Sequence, residues 1–378
     1  MTAVWFLIVA GEASGDMYGA SVALRLRERF PGATLYGLGG DRMREAGVEL
    51  LADIGGTAVV GPFEAIGYFG KLFRLFRRLT GRIEGDPHPA AAIFIDFPDF
   101  NIRLARRARA AGVPVIYYVS PQVWAWRPGR IEELRQVVDK MLVILPFEEK
   151  LYREAGIDVE FVGHPLVDMV HARLTRTVFL KKYDLDPSRP VVALLPGSRR
   201  KEVRYILPTL CLAVDRILDA RPDTQFVLPV APGLPPDFVG RFIGSRPIRI
   251  VVGDTYDAIR YARAAIVASG TATLETALLG TPEVIVYRIG RATWWLGKLM
   301  LRIRMFGLVN IVVGEEIVPE LFQDKMTPEN VARETLRLMD DVWAQSRIRS
   351  QYERVRRRLG GGDVAAKVAD TVARMAKR

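Results

Sequence analysis

The sequence predicts an α/β chain of two tandem, Rossmann-like doubly wound units followed by helices at the carboxyl end. Three observations lead there. Short apolar runs recur along the chain, each followed by a polar or Gly-rich turn and then an amphipathic stretch, the pattern of parallel strands joined by crossover helices. The pattern lapses between Pro165 and Pro190, where residues become mixed and charged, and then restarts. The length of 378 residues, 49% hydrophobic and 26% charged, suits two domains with a sizeable core.

In chain order, the first series of strands is expected at Val4–Ala10, Thr34–Gly37, Ala91–Ile95, Val113–Val119, Lys140–Leu145 and Val159–Val162. The second is expected at Val191–Leu195, Gln225–Val230, Arg249–Val252, Ala264–Ala268 and Glu283–Tyr287. From Pro328 the pattern is helical and Arg-rich, with a Gly360-Gly361-Gly362 break before a last helix. The expected domains are residues 1–165, residues 166–345, and carboxyl-terminal helices over 346–378 that pack back on the amino-terminal domain.

Composition narrows the function. The 54 Lys and Arg outnumber the 43 Asp and Glu, a net charge of +11 that invites phosphates, nucleic acid or an anionic membrane. A single cysteine, Cys211, excludes an intrachain disulfide and a multi-thiolate metal site, which fits a reducing compartment. Met1 to Ala10 is apolar but has no basic leader, so it is expected to be a buried strand and not a signal peptide. No apolar run reaches the roughly 18–20 residues of a membrane span. The expectation is a cytosolic protein able to touch a membrane.

Ligands of open parallel sheets bind beyond the carboxyl ends of the strands. After the first strand, Gly11-Glu12-Ala13-Ser14-Gly15-Asp16 lets a backbone approach a ligand while presenting Glu12, Ser14 and Asp16; read plainly, it is a turn with a helix cap from Ser14 or Asp16. It is not the G-x-G-x-x-G of a dinucleotide site. Ala91–Ile95 ends in Asp96-Phe97-Pro98-Asp99-Phe100-Asn101, where Asp96 can take a proton from a substrate hydroxyl; Asp99 competes for that role or caps the next helix. Ser120-Pro121-Gln122-Val123-Trp124-Ala125-Trp126-Arg127 puts Gln122 and two indoles at the next strand end, either to cover the core or to wall a sugar or acyl chain.

In the second half, Gly197-Ser198-Arg199-Arg200-Lys201 at a helix start suits a phosphate or diphosphate, with Arg199 able to fork onto it; read plainly, it is a charged surface turn, and the strand–Gly–Ser–Arg–helix order favours the phosphate. Ser269-Gly270-Thr271-Ala272 is a second such start, and Glu275, one turn inward, can accept from a ribose diol. There is no Walker lysine motif and no D-x-D at a strand end for a metal.

The segments GEASGD, IDFPDFN, YYVSPQVWAWR, FVGHPLVD, LLPGSRRKEV and ASGTATLE, in this order and spacing, resemble the lipid-A-disaccharide synthase family over nearly the whole chain. The resemblance implies a two-domain GT-B glycosyltransferase, with an acceptor-binding amino-terminal and a UDP-sugar-binding carboxyl-terminal domain. It implies transfer of 2,3-diacylglucosamine from UDP to the 6-hydroxyl of 2,3-diacylglucosamine 1-phosphate, with no metal or other cofactor. The family's essential Asp falls on Asp96, its essential Arg on Arg199, and its first-loop Glu and Ser on Glu12 and Ser14. Glu64 matches a family Glu after a Met-Gly segment, written here Val60-Gly61-Pro62-Phe63-Glu64 with the Met replaced and a Pro inserted; Asn310 matches an Asn near the nucleotide.

Two stripes add an independent pointer to lipid. Phe69, Leu72, Phe73, Phe76 and Leu79 follow helical spacing with Lys71, Arg74 and Arg78 opposite, and Trp294 to Phe306 is equally apolar and basic. The plain alternative for each is a core-facing helix. The expected location is the cytoplasmic face of the inner membrane; a homodimer is allowed, and nucleic acid is not an expected partner. The competing readings are another UDP-sugar enzyme of this fold, either a polyprenyl-linked sugar transferase or a UDP-sugar epimerase, and a basic RNA-binding protein suggested by the charge and by Arg354, Arg356, Arg357 and Arg358.

Overall fold

A computed structural model describes residues 4–53, 62–125, 127–290 and 305–376; for residues 53, 62–69 and 71 it describes the backbone alone. The chain divides into two units, Met1–Asp168 with Gly360–Arg378, and Met169–Leu359.

The first unit holds a seven-stranded parallel sheet made of β1 Trp5–Ala10, β2 Thr34–Gly39, β3 Glu49–Asp53, β4 Ala91–Ile95, β5 Val115–Tyr118, β6 Lys140–Val143 and β7 Val159–Phe161. Its order is β3-β2-β1-β4-β5-β6-β7. The second holds β8 Val191–Leu195, β9 Gln225–Val230, β10 Ile248–Val252, β11 Ala264–Ala268, β12 Glu283–Tyr287 and β13 Glu320–Phe322, in the order β10-β9-β8-β11-β12-β13, also parallel. The predicted class, two parallel α/β units in tandem, is the architecture found. Every residue of β1, β4, β8 and β11 is buried, because helices cover both faces of a parallel sheet, and this is why these strands are unbroken apolar runs.

Strand order reverses between β1 and β4 in one sheet and between β8 and β11 in the other. At both places the strands end nearly in step: Ala10 pairs with Ile95, and Leu195 with Val267. The residues that follow β1 and β4 therefore emerge side by side, as do those that follow β8 and β11, at the switch points where such sheets bind ligands.

Two edge strands, β3 and β13, lie outside the sequence expectation. Both are short, half-exposed and carry acidic residues, so neither has an apolar run to betray it. β2 runs on through Gly37, where a Cβ would lie 1.8 Å from the Ile8 carbonyl oxygen, so this glycine is a close-packing residue and not a strand terminator. β5 stops at Tyr118 because Val119 turns left-handed, with φ of 62°.

The chain's last helix, Val364–Ala376, lies in the first unit and packs on the first helix, Ala13–Arg29. Val364, Val368 and Val372 are fully buried there, and Arg25–Asp363 (2.7 Å) and Arg29–Asp370 (2.6 Å) flank the contact. The Asp168 carboxylate accepts from the amides of Gly362 (3.1 Å) and Val364 (2.9 Å), tying the start of that helix to the end of FVGHPLVD. In the same motif burial drives His164 down to about 3, so its imidazole is neutral and its Nδ1 accepts from the Leu166 amide. FVGHPLVD is thus accounted for by the architecture.

Candidate active site

In the first unit, Asp96 and Phe97 follow β4 in the left-handed region, with φ of 46° and 48°. Outside glycine that conformation is uncommon, and asparagine and aspartate tolerate it best. Here it is held from three sides: the Asp96 carbonyl accepts from Tyr117 Oη (2.6 Å) and Asn101 Nδ2 (2.7 Å), and its amide donates to the Val119 carbonyl (3.2 Å). Asn101 also reaches the carbonyls of Ile95 and Val9, so one side chain clamps the ends of both switch-point strands. Strain concentrated at a strand end is a mark of functional sites.

The β1 and β4 loops touch. A Cβ on Gly11 would sit 2.2 Å from the Phe97 ring, so this position has no room for a side chain. Glu12 is exposed at the start of the first helix and Ser14 is half-buried in its first turn. Neither caps that helix, and Asp16 caps another: its carboxylate accepts from the amides of Gly40 (2.7 Å), Met43 (3.1 Å) and Arg42 (3.1 Å) at the start of the helix Asp41–Glu45. Asp99 does not cap its helix either; it is engaged by Arg130 and, at 3.5 Å, by Arg127.

A residue that sequence reasoning missed lies beneath the aromatic loop. Glu148 is buried, and one of its oxygens accepts from Ser120 Oγ (2.7 Å) and Trp124 Nε1 (3.1 Å), while the other accepts from the Leu145 amide (3.3 Å). It therefore fixes the loop that carries exposed Gln122 and half-buried Trp124; Trp126 lies outside the described residues. Burial pushes the Glu148 carboxyl up to about 7, its hydrogen bonds oppose the push, and the Asp96 charge adds to it, which makes the two carboxyls electrostatic neighbours.

This raised value has a stability consequence. A carboxyl that titrates near 4.5 unfolded and near 7 folded contributes fully below pH 4.5 and loses its contribution as pH rises to about 7, a change of about 3 kcal/mol. The melting temperature is expected to fall between pH 5 and 8, and Glu148→Gln to flatten that fall. Glu283, buried and also driven upward, is present in both proteins, so the difference in slope reports Glu148. Equal slopes in the two proteins would place the titration elsewhere.

In the second unit, Gly197 follows β8 with φ of 111°, and a Cβ there would lie 2.5 Å from Glu202 Oε2, so both backbone and space require glycine. Glu202 Oε2 accepts from the amides of Ser198 (3.0 Å) and Arg199 (3.1 Å), and its carboxylate pairs with the Arg199 guanidinium at 3.5 Å. A diphosphate that takes the Ser198 amide has to displace Glu202. The Arg199 side chain is 64% exposed, which leaves it able to swing to a ligand.

After β11, Gly270 precedes the helix Thr271–Leu279, whose start has no side-chain cap; Thr271 and Ala272 are half-buried in its first turn. Ser269 Oγ donates to the Phe306 carbonyl (2.9 Å). Glu275 accepts from Tyr256 Oη (3.0 Å), and burial raises its carboxyl. Asn310 is fully buried with both ends of its amide engaged: Nδ2 donates to the Val318 carbonyl and Glu320, and Oδ1 accepts from the amides of Ile317 and Val318. In this fold it braces β13, so any influence on a nucleotide passes through the backbone it holds. Among the described residues no group of three or more His, Cys, Asp or Glu is placed to hold a metal ion.

The first apolar stripe lies on the helix Pro62–Glu84. Leu79 is core, Leu72 and Phe76 pack against the core, and Phe76 meets Phe100 edge-on at 5.8 Å. Phe73 is 63% exposed, beside exposed Arg74 and Arg78. The side chains of Glu64, Phe69 and Lys71, as well as Val60, Gly61 and the stretch from Trp294 and Trp295 to Arg304, lie outside the described residues. Phe306 packs on Phe322, ring centroids 4.1 Å apart. No helix among the described residues is long and apolar enough to cross a membrane.

Two parallel α/β units in tandem, each with its own switch point, define the GT-B type of fold. The fold is shared with solved structures: a UDP-GlcNAc 2-epimerase from Neisseria meningitidis bound to UDP-GlcNAc (TM-score 0.67, 12% identity, 98% of this chain and 100% of that one) and the glycosyltransferase of kitacinnamycin (TM-score 0.61, 16% identity, 99% and 100%). The chain belongs to the lipid-A-disaccharide synthase family: the family model described as lipid-A-disaccharide synthetase matches residues 6–372. Relatives carrying that name include proteins of Trichlorobacter lovleyi, 43% identical over 98% of this chain and 97% of theirs, and Myxococcus xanthus, 41% identical over 97% and 96%.

Proposed function

We propose that the chain is an inverting glycosyltransferase that moves 2,3-diacylglucosamine from UDP to the 6-hydroxyl of 2,3-diacylglucosamine 1-phosphate. The products are the β-1,6-linked disaccharide 1-phosphate of lipid A and UDP. The observation that carries this reading is family membership over residues 6–372, nearly the whole chain.

The first unit takes the acceptor and the second the UDP-sugar. Asp96 accepts the proton of the acceptor's 6-hydroxyl as that oxygen attacks the anomeric carbon from the face opposite UDP. The bond from that carbon to the diphosphate breaks, and its electrons leave with UDP. Arg199 and the helix-start amides after β8 and β11 stabilise the charge on the leaving diphosphate, with Glu275 on the ribose. Glu12 and Ser14, neighbours of Asp96 at the same switch point, orient the acceptor, and Gln122 and Trp124 line its approach. Mass spectrometry of the products tests the reading. It is upheld if disaccharide 1-phosphate and UDP appear only when both substrates are present, and overturned if a UDP-sugar is epimerised without acceptor.

Acylated substrates place the reaction at an anionic membrane surface, on the cytoplasmic face of the inner membrane. Exposed Phe73 among arginines supports contact there. Phe73→Ser is expected to weaken co-sedimentation with anionic vesicles while leaving the melt unchanged, whereas Phe76→Ser, which strips the ring from Phe100, costs about 2–3 kcal/mol of stability. A folded Phe73→Ser protein that binds vesicles like the wild type would remove this helix from the membrane contact.

A further inference from the structure

A cavity of about 550 Å³ opens in the first unit at the start of the helix Pro98–Ala110, within the size range of small-molecule sites. Four arginines line it, Arg103, Arg106, Arg127 and Arg130, against two acids, Asp99 and Glu133. The acids are already committed: Asp99 to Arg130 and Arg127, and Glu133 to Arg106 at 2.9 Å. Arg103 has no acidic partner among the described residues. Arg103 and Arg106 stand one turn apart on the same helix face, where like charges repel. The lining keeps an excess of two positive charges in a concave space, and guanidinium forks match the oxygens of a phosphomonoester.

We infer that this cavity holds the 1-phosphate of the acceptor, an inference that rests on reading Asp96 as the base for the acceptor hydroxyl. Pro98, on the cavity wall, is two residues beyond Asp96, so their Cα atoms are at most about 7 Å apart. In a glucosamine 1-phosphate, the carbon bearing the phosphate and the carbon bearing the hydroxymethyl group both flank the ring oxygen. A sugar with its 6-hydroxyl on Asp96 therefore has its phosphate within reach of this wall. Arg127 comes from the turn after the aromatic loop, Arg130 opens the helix Arg130–Val137, and the other two lie on the helix Pro98–Ala110, so the phosphate is gripped from both sides and the sugar is oriented before transfer.

The test is binding of 2,3-diacylglucosamine 1-phosphate, and of the same lipid without its phosphate, in detergent micelles. Wild type is compared with Arg103→Gln/Arg106→Gln, whose side chains lie at the cavity rim; the single Arg103→Gln variant serves if the pair does not give a cooperative melt. The phosphorylated lipid is expected to bind the variant at least about tenfold more weakly, the phosphate-free lipid to bind both proteins alike, and UDP affinity to be unchanged. Equal loss on both lipids, or loss on neither, overturns the inference. A variant that keeps its preference for the phosphorylated lipid but no longer sediments with phosphatidylglycerol vesicles assigns the arginines to membrane headgroups, and also overturns it. If the wild type prefers the phosphorylated lipid yet transfers no sugar to it, the functional reading fails while the subsite stands.

Discussion

Asp96→Asn is expected to lower kcat by about 100-fold or more while UDP affinity stays unchanged. The substitution is close to a pure removal of basicity. Asparagine is among the few residues at ease with a φ of 46°, and the bonds that hold this backbone, from Tyr117 and Asn101 to the Asp96 carbonyl, do not involve the side chain that changes. Asp99, three residues on, is poorly placed to take over because Arg130 and Arg127 already occupy it. Single-turnover kinetics with both substrates bound isolates the chemical step. A near-normal rate would move the base to Asp99 or Glu12.

Arg199→Ala is expected to cost about 100- to 1000-fold in kcat, the scale of losing one donor aimed at developing charge. The helix it opens should survive, since the link from Glu202 uses the amides of Ser198 and Arg199 and not the guanidinium alone. Arg199→Lys, which keeps the charge but not the fork, should fall between the two. With positive charge and backbone donors supplied by the chain, turnover is expected to persist in EDTA. A loss that magnesium restores would refute that mechanism, and an alanine variant at full rate would remove Arg199 from it.

The central strands and the positions of the residues at their ends were legible because burial on both faces writes β1, β4, β8 and β11 as unbroken apolar runs, and the next residues are then placed by topology. The edge strands were not, since Glu49–Asp53 and Glu320–Phe322 have one open side and too little apolar character. Asp16 and Asn310 illustrate a second limit. Their residue types suit ligand contact, but they spend their hydrogen bonds inside the protein, a commitment decided by partners up to 27 residues away for Asp16. Glu148 shows the reverse. An acid three residues into a Pro-started helix reads as an ordinary cap, and nothing local announces that its other oxygen meets Ser120 and Trp124, 28 and 24 residues earlier. The arginine-lined cavity was equally hidden, because its charges come from segments whose nearness is a product of folding.

The last helix has a consequence for how the protein is made. It completes the first unit, yet residues 169–359 must be translated before it exists. At about 5–20 residues per second this leaves the outer face of the Ala13–Arg29 helix uncovered for roughly 10–40 s on the ribosome. The amino-terminal half therefore leaves the exit tunnel as an unfinished body, with an apolar seam that a chaperone or a neighbouring nascent chain can reach. Its maturation is clocked by the synthesis of the other half.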